Sequence, residues 1–171
     1  FFELSIGRNK DGLSLAPLII RRNDGGILTL SGKIDRVDIL REENKIYVRV
    51  IDYKSGKKTY SASDLEKGLN VQLPLYLFSL CDPDQKAFRN LLDCTKEDTI
   101  SPAGAMYLSS LIPPVELSGD IASGEDVVLQ KAEESVSRSG FLINDERILN
   151  EMSLSFSKQY LCGISKNKKG G

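Results

Sequence analysis

Histidine is absent from all 171 residues. That removes Ser-His-Asp and Cys-His nucleophilic catalysis, His-ligated zinc hydrolysis and any nuclease built on a histidine base. Chemistry in this chain must therefore fall to carboxylates and lysines. Cysteine is scarce as well: Cys81, Cys94 and Cys162 are an odd number with no close pair. They suit a reducing compartment and supply neither a disulfide framework nor a zinc knuckle. No apolar run reaches the roughly 18 residues that a membrane helix needs, so no membrane partner is expected. The start, Phe1-Phe2-Glu3-Leu4-Ser5, lacks an initiator Met and the basic region of a secretory signal. Together with the Gly170-Gly171 ending, it leads us to expect a piece of a longer protein. No sign of charge dominates: 23 Lys and Arg against 24 Asp and Glu leave a net charge of -1. Any nucleic-acid contact must then come from a local patch. The Gly-x-x-x-x-Gly-Lys-Ser/Thr loop of ATP-binding proteins is also missing.

What is present reads as one mixed α/β domain over residues 1–171. The first forty residues are β in character, with apolar runs at 15–20 and 27–30 around the turn signal Asn23-Asp-Gly-Gly26. A strand over 33–40, a polar turn at 41–44 and a Val/Ile/Tyr-rich strand over 46–53 follow. Residues 55–60 form a lysine-bearing loop. Ser63-Asp-Leu-Glu66 has the capping-box pattern of a helix start. Leu65, Leu69, Leu73, Tyr76, Leu77 and Leu80 continue it at helical spacing, although Pro74 falls inside the run. Residues 103–111 read as a further strand, and 144–152 as a short helix capped by Asn144 or Asp145. The stretches 82–100 and 113–139 read as variable or mobile insertions, with 118–139 at most loosely helical.

The chemistry concentrates in Val48-Arg-Val-Ile-Asp-Tyr-Lys54. Strand side chains alternate faces, so Val48, Val50, Asp52 and Lys54 share one side, which begins apolar and ends with a carboxylate and an ammonium. On the preceding strand Asp35 shares a face with Val37 and Ile39. A hairpin turn at 41–44 would bring Asp35 roughly opposite Asp52. Two acids on adjoining strands repel and raise one another's pKa unless a cation intervenes. Magnesium favours such a site, taking one or two carboxylates and keeping several waters. A bound metal activates water and polarises a phosphate oxygen, and Lys54 is placed to orient or deprotonate the water or to offset phosphate charge. Taken alone, an Asp-x-Lys at a strand end is more often a solvated ion pair; its occurrence with Asp35 in a hairpin raises its weight.

Three blocks carry a family resemblance: Gly32-Lys-Ile-Asp-Arg-Val-Asp38, Val50-Ile-Asp-Tyr-Lys-Ser-Gly56 and Gln72-Leu-Pro-Leu-Tyr76. In this order and spacing they resemble the RecB-like branch of the PD-(D/E)XK nuclease superfamily, and within it the AddB-type nuclease domains of bacterial helicase–nucleases. Phe2–Gly7, Pro102–Tyr107 and Leu154–Tyr160 are similar to that group as well. The resemblance implies a restriction-endonuclease-like core, a mixed central sheet flanked by helices. It implies that Asp35 and Asp52 ligate Mg²⁺ or Mn²⁺ with the backbone carbonyl of Tyr53, and that Lys54 is the catalytic lysine. Gln72 and Tyr76 would match a motif that lies near DNA and supports the site. For Arg36 and Asp38 it implies structural or supporting roles, the default for such residues being a surface ion pair; Lys57 and Lys58 could hold phosphates from their loop, as readily as they could be a solvated pair. The implied partners are DNA and an AddA-like helicase, in bacterial cytoplasm, with an iron–sulfur cluster in the full-length protein. The cysteines here do not show that cluster's spacing, and the superfamily's usual helical acid or histidine would precede Phe1. The rival readings are a catalytically silent DNA-binding or scaffolding module and a stand-alone CRISPR-type exonuclease; the blocks near both ends favour the helicase-linked form.

Overall fold

The computed structural model describes residues 1–7, 14–56, 58–110 and 138–152. Its elements in chain order are β1 (Phe2–Ile6), β2 (Ser14–Leu15), β3 (Leu18–Arg21), β4 (Ile27–Leu30), β5 (Gly32–Glu42) and β6 (Lys45–Lys54). After them come α1 (Ala62–Glu66), α2 (Gln72–Cys81), α3 (Lys86–Leu91), β7 (Thr99–Ser109), β8 (Arg138–Leu142) and α4 (Glu146–Glu151). Six strands make a mixed sheet in the order β2-β1-β5-β6-β7-β8, while β3 and β4 form a separate hairpin. The expected mixed sheet flanked by helices is borne out.

The centre of the sheet is β6. Every residue from Ile46 to Asp52 is buried, as a strand covered on both faces requires. One face packs on α2: Leu73, Tyr76, Leu77 and Leu80 meet Ile34, Val37, Val48, Val50, Ala105 and Tyr107. The other face carries a smaller cluster of Tyr47, Ala103 and Ile148, the last from α4. Each fully buried aliphatic side chain contributes about 1.5–3 kcal/mol here.

Several sequence expectations change in detail. The apolar run at 15–20 is two strands, with Ala16-Pro17 between them, because proline lacks the N–H a ladder needs. The single helix expected from Ser63 to Leu80 is two. Its capping box does not form, since Ser61 is the N-cap and its side chain makes no capping bond. The chain leaves α1 through Gly68 and Asn70, both with positive φ, and the Gly68 and Leu69 amides close back on the carbonyls of Leu65 and Asp64. Leu65 and Leu69 are consequently exposed. Pro74 poses no conflict, because it falls in the first turn of α2, where backbone N–H groups have no intrahelical partner. Within 82–100 lies α3, whose Phe88 is fully buried in the core. Arg138 and Ser139 are strand rather than loose helix, paired with Leu108 and Tyr107; residues 111–137 lie outside the described residues. The helix near 144–152 begins at Glu146, capped by Asp145, whose carboxylate accepts from the Arg147 and Ile148 amides.

Candidate active site

The site begins where two strands part. β5 and β6 pair from Glu42 and Lys45 at the turn as far as Arg36 and Ile51. The next rung would set Asp35 against Asp52, and there the ladder stops. Burial along β5 also changes phase at this point, from Gly32 and Ile34 to Val37. The Tyr53 amide, left without a ladder partner from β5, instead donates to Asp35 Oδ2 at 2.8 Å. One irregularity thus frees Asp35 from the sheet and fixes its carboxylate.

Asp52 lies deeper, with 5% of its surface exposed. Its Oδ2 touches the Lys54 ammonium, two residues on and on the same face. That oxygen is fully buried and accepts no well-directed hydrogen bond among the described residues. Burial alone would lower the Lys54 pKa, but its close ion contact with Asp52, with smaller contributions from Tyr107 and Asp35, raises it above the ordinary lysine value. Asp35 is therefore close enough for its charge to act on Lys54. The structure brings Asp35, Asp52 and Lys54 together at one end of the central strands.

Tyr107 is a member of this cluster that sequence reasoning missed. It stands beside Asp52 in the parallel β6–β7 ladder. The register slips between Val48 and Arg49, whose partners on β7 are Pro102 and Gly104, so Ala103 is an extra residue. Without this bulge, Met106 rather than Tyr107 would face Asp52. Glycine is required at 104: φ is +153° and a Cβ would come within 2.6 Å of the Phe141 carbonyl oxygen. The Tyr107 ring is 1% exposed. Two lysines converge on it, with Lys58 Nζ at 4.5 Å and Lys54 Nζ at 5.7 Å from the ring centroid. The loop that carries Lys58 is anchored by Tyr60, whose amide donates to Ser139 Oγ at 2.7 Å and whose ring packs on Phe141. Lys57 lies outside the described residues.

The other expected residues take distinct places. Tyr76 is buried and Gln72 exposed, with a weak bond of 3.4 Å from Gln72 Nε2 to Tyr76 Oη. The Tyr76 phenol rests on Gly32, three residues before Asp35, where an added Cβ would stand 2.1 Å from Oη. That contact explains the glycine at the head of β5. Arg36 does not join the acids. Its guanidinium pairs with Asp38 at 2.6 Å and donates to Tyr53 Oη at 3.4 Å. Asp38 also takes Arg49 Nη2 at 2.7 Å, and Arg49 reaches the Met152 carbonyl at the end of α4. In place of the default surface pair stands a partly buried Arg36–Asp38–Arg49 network, in which Arg49 is buried while Arg36 and Asp38 are half-buried.

As donors, two carboxylates and a backbone carbonyl are hard oxygens of the kind Mg²⁺ and Mn²⁺ accept with waters completing the shell. The buried Asp52 Oδ2, lacking a directed hydrogen bond, fits such a role. Among the described residues no group of three or more His, Cys, Asp or Glu converges, so a metal held by these residues would rest on two carboxylates. Cys81 and Cys94 are free thiols, and Cys162 lies outside the described residues. No described helix is long and apolar enough to cross a membrane.

Two acids and a lysine at one end of the central strands of an α-covered sheet make a candidate site of the kind a metal-dependent hydrolase needs. The family comparison agrees: the model for the PD-(D/E)XK nuclease superfamily matches residues 2–154, and the chain belongs to that superfamily, whose members generally use divalent metal ions. It is also similar to curated proteins named as subunits of an ATP-dependent helicase/deoxyribonuclease. That of Caldanaerobacter subterraneus subsp. tengcongensis is 34% identical over 98% of this chain and 13% of its own length. Those of Clostridium kluyveri and Clostridium acetobutylicum are 31% and 27% identical, over 99% and 95% of this chain and 14% and 13% of their own lengths. The chain thus spans about one seventh of the relatives it matches.

Proposed function

We propose that this chain is the nuclease part of a helicase/deoxyribonuclease subunit and hydrolyses DNA phosphodiester bonds with Mg²⁺ or Mn²⁺ held by Asp35, Asp52 and the Tyr53 carbonyl. The observation that carries the proposal is the convergence of Asp35, buried Asp52 and Lys54 where β5 and β6 separate. Family membership gives the constellation its chemistry, and the relatives' names favour a helicase-linked subunit over a stand-alone exonuclease.

When bound, the metal would supply an activated water and polarise a phosphate oxygen. The chain's own residues do the rest. Asp35 is held by the Tyr53 amide, so its carboxylate is oriented before any ligand arrives. As an ammonium, Lys54 stabilises charge that grows on the phosphate as the bond breaks. Lys58, beside the same ring, holds a neighbouring phosphate of the strand. Arg36, turned away to Asp38, stiffens β5 behind the site. We further propose that the strand is delivered by an AddA-like helicase partner, as part of double-strand break processing, and cut from an end.

The test is cleavage of single- and double-stranded DNA by the full-length polypeptide with Mg²⁺, Mn²⁺ or chelator. Asp52→Ala and Lys54→Ala should each lower kcat by about 100-fold or more, and chelator should abolish cutting. Cleavage that survives both substitutions, or that ignores chelator, refutes the proposal.

A further inference from the structure

A buried tyrosine that served packing alone would be better replaced by phenylalanine. The Tyr107 hydroxyl is fully buried and has no hydrogen-bond partner among the described residues, a state that destabilises the fold. Its neighbours suggest the missing partner. Lys54, whose ammonium is over the same ring, is in contact with Asp52 Oδ2, the oxygen that the proposed function gives to a divalent cation. A dication on that oxygen would repel the ammonium now touching it, which favours movement of the ammonium off Asp52 when the metal arrives. The stem of Lys54 is flexible and its side chain 31% exposed, and Tyr107 offers both a π face and an unused acceptor.

We propose that Tyr107 is a positioning residue that receives the Lys54 ammonium when Asp52 takes a metal ion, its hydroxyl oxygen accepting the hydrogen bond. The inference rests on the metal-dependent reading given above. It accounts for three observations together: the orphaned hydroxyl, the bulge at Ala103–Gly104 that brings Tyr107 rather than Met106 beside Asp52, and the ring already placed near Lys54. Tyr107 makes no contact with the substrate and acts only through Lys54.

Tyr107→Phe keeps the ring and removes the hydroxyl, so it tests the idea without a cavity. Measurements of stability, metal binding and cleavage on the full-length polypeptide decide it. The metal-free Tm should not fall, since no bond is lost; a fall would show the hydroxyl already engaged and overturn the proposal. Mn²⁺ binding, followed by calorimetry, should weaken about tenfold or more, the worth of a hydrogen bond to a charged group; unchanged affinity overturns the proposal. In a Lys54→Ala background the same substitution should leave Mn²⁺ affinity unaltered, because no ammonium remains to be received; a second tenfold loss would mean that the hydroxyl serves the metal directly and would overturn the proposal. For cleavage, kcat should drop with KM for DNA unchanged, whereas a rise in KM alone would place the hydroxyl on the substrate and overturn the proposal. Wild-type protein that binds no Mn²⁺ defeats the metal-dependent function itself, and this inference with it.

Discussion

Replacing Gly32 by alanine should destabilise the protein through a single contact. Gly32 has ordinary strand geometry, so the substitution taken alone would stabilise by about 0.4–1 kcal/mol through a less flexible unfolded chain. Against this, the new Cβ would lie 2.1 Å from Tyr76 Oη, 2.9 Å from Cζ and 3.1 Å from Cε1. The phenol cannot simply swing aside, because Tyr76 is only 5% exposed and packed in the main core. Overpacking of this kind costs about 1–3 kcal/mol, so the clash wins. Net of the gain from the unfolded chain the loss is about 1–2 kcal/mol, and the expected fall in Tm roughly 2–8 °C, at 2–4 °C per kcal/mol for a domain this size.

The partner substitution makes the reasoning testable. Tyr76→Phe removes the atom at 2.1 Å and leaves contacts of 2.9 and 3.1 Å, which a small ring shift relieves. By itself it gives up only the 3.4 Å bond from Gln72, worth no more than about 1 kcal/mol. The double variant should therefore be more stable than the sum of the single changes, by about 1 kcal/mol. Chemical denaturation of the four proteins measures that coupling directly. A second consequence is catalytic. Displacing the head of β5 displaces Asp35 three residues later, and misplacement of about 1 Å lowers kcat by up to about 100-fold in protein that is still fully folded. A Gly32→Ala variant of wild-type stability, or additivity within about 0.5 kcal/mol, would refute the argument.

Asp38→Asn should cost about 2–4 kcal/mol, less than a fully buried pair because Arg36 is one-third exposed. It removes the carboxylate charge beside buried Arg49 and leaves one amide oxygen where two carboxylate oxygens served two guanidiniums, and the urea midpoint should fall with the slope unchanged. Acid stability should depend on Asp98, whose carboxyl is held below its ordinary pKa first by the Thr95 amide, at 2.6 Å, and then by the Thr95 hydroxyl, at 2.9 Å. A folded pKa below the unfolded one stabilises the protein above about pH 4 and loses that contribution as pH falls further. In Asp98→Asn the Tm should decline less steeply below pH 4; an identical acid limb would remove Asp98 from the account.

The sequence displayed those parts of the fold whose signals are local. Val and Ile at alternate positions marked β5 and β6, and the four-residue polar stretch between them set a register good enough to place Asp35 near Asp52. The helix break between α1 and α2 was written in Gly68 and Asn70, yet the apolar spacing from Leu65 to Leu80 masked it. Spacing alone does not say which of those leucines meets the core. Arg36 and Asp38 looked like a surface pair because Arg49, eleven residues away on the facing strand, completes their network only once the strands are paired.

Tyr107 shows the limit most clearly. In Ala105-Met-Tyr-Leu108 it reads as one more apolar strand residue, and its neighbour Asp52 is 55 positions earlier in the chain. Whether Met106 or Tyr107 meets that acid depends on one inserted residue at Ala103–Gly104, and no periodicity over a single strand reveals a bulge in its pairing with another. The same chain therefore states its acids and its lysine locally, in the hairpin, while the surroundings that would tune them are set by a parallel ladder closed over a long crossover. An acid and an amine two residues apart on a strand can be a solvated pair anywhere on a protein surface. Here the pair lies between Asp35 and a buried phenol, where the β5–β6 ladder ends, and that placement carries the proposed site.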